Sequence, residues 1–206
     1  MNRILLACML VMFSASAARS QTTDQSGLLC SLAREQAPAI RGVKLGMTSD
    51  ELHASVPGIR EDYKTVVERA QRSPSYGEVT LSASPPETGK GERFEGIQGF
   101  YFRLFDDRLV GYSVFYRGPG SNPRGAMWPH VDDLIGRFAA AYHLPGPPNW
   151  VTDGSSKLIR CKGFDVRIST GDDTVAVITE SGNTWAAEQK KRGEAYQEQL
   201  RTEFKP

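Results

Sequence analysis

The sequence is poor in the side chains that catalytic and metal sites need. It includes three histidines and three cysteines, and no second histidine stands at ligand spacing from His53, His130 or His143. The stretch "GYSVF" around Ser113 lacks the second glycine of a nucleophile elbow and lies inside a predicted strand, so we interpret Ser113 as an ordinary strand residue. We therefore expect neither a catalytic residue nor a metal or other cofactor.

A large net charge of either sign is also absent. The 25 basic residues nearly balance the 24 acidic ones. A nucleic-acid-binding surface needs a basic patch that displaces counterions from phosphates, and a polybasic membrane-surface protein needs clustered lysines and arginines. The balance therefore predicts that neither nucleic acid nor a charged lipid surface is the partner.

Long apolar runs are confined to the start of the chain. Arg3 precedes an apolar run from Ile4 to Phe13 and the small residues "SASAA", which is the pattern of a cleavable signal peptide over residues 1–18. At about ten residues the run is too short to cross a bilayer. A rival interpretation takes "LLAC" as a lipid-attachment site at Cys8, although most of the apolar segment follows that cysteine. We predict a periplasmic or secreted protein with no integral membrane span.

The predicted export bears on the redox state of the cysteines. Cleavage removes Cys8 and leaves Cys30 and Cys161 where disulfides persist, so we predict that these two pair. A bridge that closes so long a loop stabilises a protein by about 4 to 5 kcal/mol if the chain-entropy account holds. The alternative is a pair of free buried thiols.

Apolar periodicity predicts a first unit of helix and strands over residues 19–118. Thr48 and Glu51 have the spacing of a helix capping box, and "IRGVKLG" before them is interpreted as a short strand or extended segment. Residues 59–75 are ambiguous between a helical turn and a loop. Three strands follow: one at "EVTLSAS", then "IQGFYFRLF" and "LVGYSVFYR", which form an antiparallel hairpin around "DDR".

A second unit is predicted over residues 119–183. Pro129 opens a helix whose apolar stripe runs from Val131 to Tyr142, and three short strands follow around "KLIRC", "FDVRIS" and "TVAVITE". Residues 184–206 read as a charged C-terminal helix with a thin apolar stripe. This order of elements predicts an α+β fold: an antiparallel sheet with helices on one face, built from two tandem helix-plus-strands units.

Paired aspartates and a glycine-rich segment have simple structural interpretations. Asp106 with Asp107 and Asp172 with Asp173 fall in predicted hairpin turns, where aspartate bonds local backbone amides. The segment "GPGSNPRG" lacks the lysine and hydroxyl of a phosphate-binding loop, so we interpret it as a surface connection.

Aromatic side chains are the remaining candidates for a functional surface. Exposed aromatic residues often anchor protein partners. The large rings here exceed what we can place in one core, and they are those of Tyr101, Tyr112, Tyr116, Trp128 and Trp150. We take Tyr112, Tyr116, Trp128 and Trp150 as candidate partner-binding residues. The alternative is that most of them pack between sheet and helix.

The segment "LGMTSDEL", Leu45 to Leu52, resembles a corner found in small bacterial envelope proteins. The pattern "GMT-x-x-E/Q-V" is typical of the BamE (SmpA/OmlA) outer-membrane-assembly lipoproteins, and Leu52 stands where that pattern has valine. The order of helix and strands resembles the β-lactamase-inhibitor-protein type of fold, which implies tandem units. The segment is also similar to that of uncharacterised exported bacterial proteins with "RG-x-x-LGMT", for which the resemblance implies no activity.

These features favour a non-enzymatic binding or envelope-associated module with a protein partner in the cell envelope. The alternative is a secreted hydrolase whose site assembles from distant residues, joining His130 or His53 to a serine and an acid. A third hypothesis is a structural envelope component recruited through the C-terminal helix.

Overall fold

The computed structural model describes residues 30–70, 76–85, 92–116, 130–170, 174–182 and 184–204. Four of the predicted features lie outside these residues: the signal peptide, the glycine-rich segment at residues 118–125, the proline that opens the long helix, and the hairpin turn at residues 172–173. Trp128 also lies outside them.

Within the described residues, seven strands form one antiparallel sheet in the order β1-β2-β3-β7-β6-β5-β4, which confirms the predicted sheet. Strand β4 has three residues, too few for an alternating pattern to predict it. The strands are β1 (Glu78–Ala83), β2 (Ile97–Phe105), β3 (Arg108–Tyr116), β4 (Val151–Asp153), β5 (Ser156–Arg160), β6 (Phe164–Thr170) and β7 (Thr174–Glu180).

The described helices lie on both sides of this sheet. The ambiguous segment contains a helix, α2, whose Tyr63, Val66 and Val67 pack against the core. The C-terminal helix is also present, as predicted. The helices are α1 (Ser49–Ser55), α2 (Tyr63–Ala70), α3 (Val131–Tyr142) and α4 (Thr184–Glu203).

One face of the sheet, which we call the inner face, carries the hydrophobic core. Leu81, Phe102, Tyr112, Ile178 and Val166 lie side by side on five successive strands, and all are buried. Side chains of α1 and α3 pack onto this row and join it in one cluster. The two predicted units therefore share a single core.

The chain ahead of α1 reverses direction in a tight turn. Ile40 and Val43 exchange two backbone hydrogen bonds of 3.0 Å, and Arg41 and Gly42 between them have φ of 54° and 90°. The prediction of a short strand here is therefore wrong, because these left-handed residues fold the segment back on itself.

The segment that follows ties α1 to the hairpin of β2 and β3. Gly46 donates its N–H to the carbonyl of Leu109 at 2.8 Å, and Leu109 donates to the carbonyl of Met47 at 2.8 Å. Asp107, in the hairpin turn, accepts from the backbone N–H of Ser49 at 3.0 Å. The "LGMTSDEL" corner thus serves as a structural junction between the first helix and the sheet.

Helix α4 crosses the opposite face of the sheet, the outer face, at one end. Its Trp185 ring lies 6.2 Å from that of Phe105, and Gln189 donates to Glu78 at 2.6 Å. From Glu194 to Glu203 every residue of the helix is exposed, and so is Phe204 after it. In the described part of the chain, no helix has the length and apolar character needed to cross a membrane.

Candidate partner-binding face

The two predicted cysteine partners form a disulfide. Cys30 and Cys161 are bonded, with their Cα atoms 4.3 Å apart, and both are buried. The bond joins the beginning of the described chain to the end of β5, so it links the first unit to the second.

The predicted partner-binding aromatic residues do not form a common surface. Tyr112 and Trp150 are buried, at 2% and 5% exposure, so their expected exposure must be corrected. The Tyr112 hydroxyl donates to the carbonyl of Pro38, and the Trp150 indole donates to that of Pro145 at 2.9 Å. Tyr116 is half-buried. Tyr112 points into the core because it lies on the inner face of β3, and Trp150 joins the same core cluster from the turn just ahead of β4.

Among the described residues, those considered as catalytic candidates are not hydrogen-bonded to one another, and the histidines among them are exposed to solvent. His53, His130 and His143 are all exposed, and within the described ranges no imidazole is hydrogen-bonded to a hydroxyl or a carboxylate. Ser113 is half-buried on β3. Among the same residues no group of three or more histidine, cysteine, aspartate or glutamate side chains could hold a metal ion.

The outer face of the sheet carries an apolar surface that the described helices leave uncovered. We call it the open face and define it by Tyr101, Ser113, Phe115, Val175 and Val177. Strand register places Tyr101 beside Ser113 and Ser113 beside Val177. Phe115 lies beside Val175. The five residues are therefore contiguous across β2, β3 and β7.

Tyr101 is the most exposed member of the open face. Its side chain is 52% exposed, and its ring meets that of Phe115 edge-on at 5.2 Å. The other four residues are half-buried. Solvent-facing positions of an antiparallel sheet are usually polar, so two aromatic rings and two valines there are unusual and suit an interaction surface.

Two concavities adjoin the open face, and Tyr101 lines both. One, of about 80 Å³, lies over Gly111 between Arg103, Ser113 and Thr179. The other, of about 350 Å³, lies at the far end of β1 and β2, next to Arg60 and Gln98. The surface is therefore uneven, with an aromatic ridge between two hollows.

Helix α4 borders the open face on one side. The Arg103 guanidinium lies 5.6 Å from the centre of the Trp185 ring, and Arg103 Nε lies 3.5 Å from Glu78 Oε1. Arg192 forms two hydrogen bonds to Asp106, at 2.8 and 2.6 Å, and these bonds hold the pKa of Asp106 below its ordinary value. The helix thus covers one end of the outer face and leaves the middle open.

The other margin of the outer face is charged. Asp165 lies on β6 beside Thr179 of β7 and Arg160 of β5. Partial burial raises the pKa of Asp165, and Arg160 and Arg167 oppose that rise. Arg167 pairs with Asp153 at 2.6 Å. The apolar open face is therefore flanked by ion pairs on this side.

Sequence reasoning identified Tyr101 as part of an aromatic surplus but missed Phe115, Val175 and Val177. A signal for the valines was present in "TVAVITE", where Val175 and Val177 alternate with Ala176 and Ile178. Such a strand is apolar on both faces, which indicates either two covered faces or an exposed apolar patch.

No protein-family model, curated protein or solved structure matches the chain in comparisons with known proteins.

Proposed function

We propose that this protein is an exported, non-enzymatic binding module that holds a protein partner of the cell envelope on its open face. The observation that carries the proposal is the contiguous apolar surface of Tyr101, Phe115, Val175 and Val177 on the uncovered side of the sheet. Protein interfaces are enriched in aromatic residues near their centre.

The shape and rigidity of this surface support a protein partner. The open face lies on three strands whose opposite sides are packed into the core, so its side chains are held on a stiff support. A rigid aromatic ridge loses little conformational freedom on binding. The polar margins on either side suit the wetter rim of an interface.

Two further features support export to a periplasmic or extracellular location. The disulfide between Cys30 and Cys161 is stable in an oxidising compartment. The first 18 residues have the pattern of a cleavable signal peptide. A partner met after export would belong to the envelope or the surrounding medium.

Site-specific photocrosslinking in living cells tests the proposal. A photoreactive amino acid replaces Tyr101 or Val177 on the open face, or Lys190 on α4 as a control whose side chain is 79% exposed. We expect one envelope protein to be crosslinked at positions 101 and 177 and not at 190. Crosslinks at 190 alone, or none at the open face, would contradict the proposal.

A further inference from the structure

The smaller hollow beside the open face has the size of a single polar group. It lies over Gly111, where β3 contributes no side chain, and its volume is about 80 Å³. A water molecule occupies about 30 Å³ in the liquid, so the hollow holds the equivalent of two or three waters. A carboxylate group fits such a space.

The walls of this hollow are rich in hydrogen-bond donors. They carry the hydroxyls of Thr80, Tyr101, Ser113 and Thr179. Hydroxyls can donate or accept, so on their own they favour no particular charge.

Arg103 makes the hollow favour a negatively charged ligand. Glu78 and the Trp185 ring hold its guanidinium at the wall through Nε and the cation–π contact. The contact with Glu78 is made by Nε, which carries only one of the five N–H donors of a guanidinium. Glu78 is itself engaged by Gln189 at 2.6 Å. The guanidinium therefore keeps donors free for a ligand, and it can only donate.

We infer that the hollow over Gly111 is a carboxylate-binding subsite that receives an aspartate or glutamate side chain of the protein partner. An arginine fork beside several hydroxyls suits an acceptor with two oxygens and a negative charge. The identity of the occupant as a protein side chain rests on the proposed function. The chemistry of the subsite rests on Arg103, the hydroxyls and the missing side chain at Gly111.

Gly111 offers a way to fill the hollow without disturbing the sheet. A Cβ at this position would meet the Ile178 carbonyl oxygen at 3.4 Å and Thr179 side-chain atoms at 3.4 and 3.5 Å, which is tolerable contact. Alanine also has less conformational entropy than glycine in the unfolded chain, and this difference favours the folded state. Gly111→Ala should therefore keep the fold and occupy the floor of the subsite.

The subsite is tested by two-dimensional amide NMR of the purified full-length chain, titrated with sodium acetate or with acetamide. Acetamide has nearly the same shape as acetate and carries no charge. We expect acetate to shift the amide resonances of Gly111 and Ser113 saturably in the millimolar range, and acetamide to bind at least about tenfold more weakly. Equal shifts with both probes would overturn the inference.

Three variants separate the subsite from general electrostatics. Arg103→Gln and Gly111→Ala should each weaken acetate binding by about tenfold or more. The control Arg201→Gln makes the same charge change near the exposed end of α4, where Arg201 pairs with Glu198 of the same helix, and should leave acetate binding unchanged. Unaltered acetate binding by both subsite variants would also overturn the inference.

The proposal that a partner side chain occupies the subsite is tested with the photocrosslinker at position 177. We expect Arg103→Gln to reduce the crosslinked product several-fold and Arg201→Gln to leave it unchanged. A crosslink that Arg103→Gln does not change would overturn the inference and leave the proposed function standing. If position 177 gives no crosslink in the wild-type chain, the proposed function fails and the partner side chain with it, and the acetate titration still decides whether the hollow binds carboxylates.

Discussion

At the scale of single residues, the start of α1 depends on a reciprocal pair of hydrogen bonds. The Thr48 hydroxyl accepts from the backbone N–H of Glu51 at 3.2 Å, and the Glu51 carboxylate accepts from the backbone N–H of Thr48 at 2.8 Å. This is the capping box that the sequence predicts. Because the same helix ties the "LGMTSDEL" corner to the hairpin, the cap stabilises a junction as well as a helix.

Thr48→Ala should destabilise the protein by about 1 kcal/mol, since it leaves a helix-terminal N–H without its acceptor. The measurement is the free energy of unfolding from urea titration. The matched control is Thr65→Ala on the exposed side of α2, which should change stability by less than about 0.5 kcal/mol. Equal losses in the two variants would show that the cap contributes nothing.

Also at the residue scale, buried tyrosines make the protein sensitive to alkali. Burial is the main cause that raises the pKa of Tyr112, Tyr116 and Tyr142 above their ordinary value. A tyrosine in the unfolded chain ionises near pH 10, while the folded protein retains those protons to higher pH. The stability that these groups confer is therefore fully present below about pH 10 and decreases as the pH rises above it.

We expect the free energy of unfolding to fall above pH 10 by about 1.4 kcal/mol per pH unit for each tyrosine that stays protonated only in the folded state. The measurement is urea unfolding at several pH values between 9 and 11. The double variant Tyr112→Phe with Tyr116→Phe should lower this slope, whatever its stability at neutral pH. A slope that is the same in the double variant would contradict the assignment.

At the scale of elements, α4 is held to the sheet by a few side-chain contacts. The ion pair of Arg192 with Asp106 is the strongest of them in geometry, with two hydrogen bonds, and the Arg192 guanidinium also lies 5.0 Å from the Phe105 ring centre. Beyond this point the Tyr196 ring still lies 6.0 Å from that of Tyr76, and only the residues after Tyr196 project into solvent. Its docking should therefore depend on the charge of Asp106.

Asp106→Asn should loosen α4 without disturbing the hairpin turn. Asp106 has φ of 47°, a left-handed conformation that asparagine adopts readily. Hydrogen–deuterium exchange should show faster exchange across residues 185–196 in the variant. Arg201→Gln is the control, because Arg201 pairs within the helix with Glu198, and it should leave exchange in that segment unchanged.

The ion pair of Arg192 with Asp106 should also make the docking of α4 depend on pH in the acid range. The pKa of Asp106 is lowered in the folded protein, so its contribution is present above the unfolded value near pH 4 and is lost as the pH falls below it. The protection factors of residues 185–196 should therefore fall below about pH 4 in the wild type and change less in Asp106→Asn. Identical acid profiles would show that other contacts hold the helix.

Elements with local signals could be predicted from the sequence, whereas the candidate site could not. The hairpin of β2 and β3 and the helix α3 follow from alternation and helical spacing within a few residues. The open face depends on the register between β3 and β7, which belong to different units, and no local pattern specifies that pairing. Tyr112 was misjudged for the same reason, because only the assembled sheet shows which of its faces the helices cover.

At the scale of the whole molecule, the two units meet through their last strands. β3 pairs with β7 from Gly111–Thr179 to Tyr116–Thr174, and the inner-face residues on both sides belong to one hydrophobic cluster. The disulfide also links the two units. The open face straddles this junction, so its geometry exists only when both units are folded together.

A core substitution in the first unit should therefore destabilise the second unit equally. Leu81 on β1 is buried, and Leu81→Ala should cost about 2 to 5 kcal/mol. Native-state hydrogen exchange should show the same loss of protection free energy for the slowest amides of β2 and of β6, where Val166 and Ile168 are fully buried. Thr80→Ala, at the exposed neighbouring position, should leave both unchanged. If β2 loosened while β6 kept its protection, the two units would be independently stable, and the open face could open at the β3–β7 junction without unfolding either one.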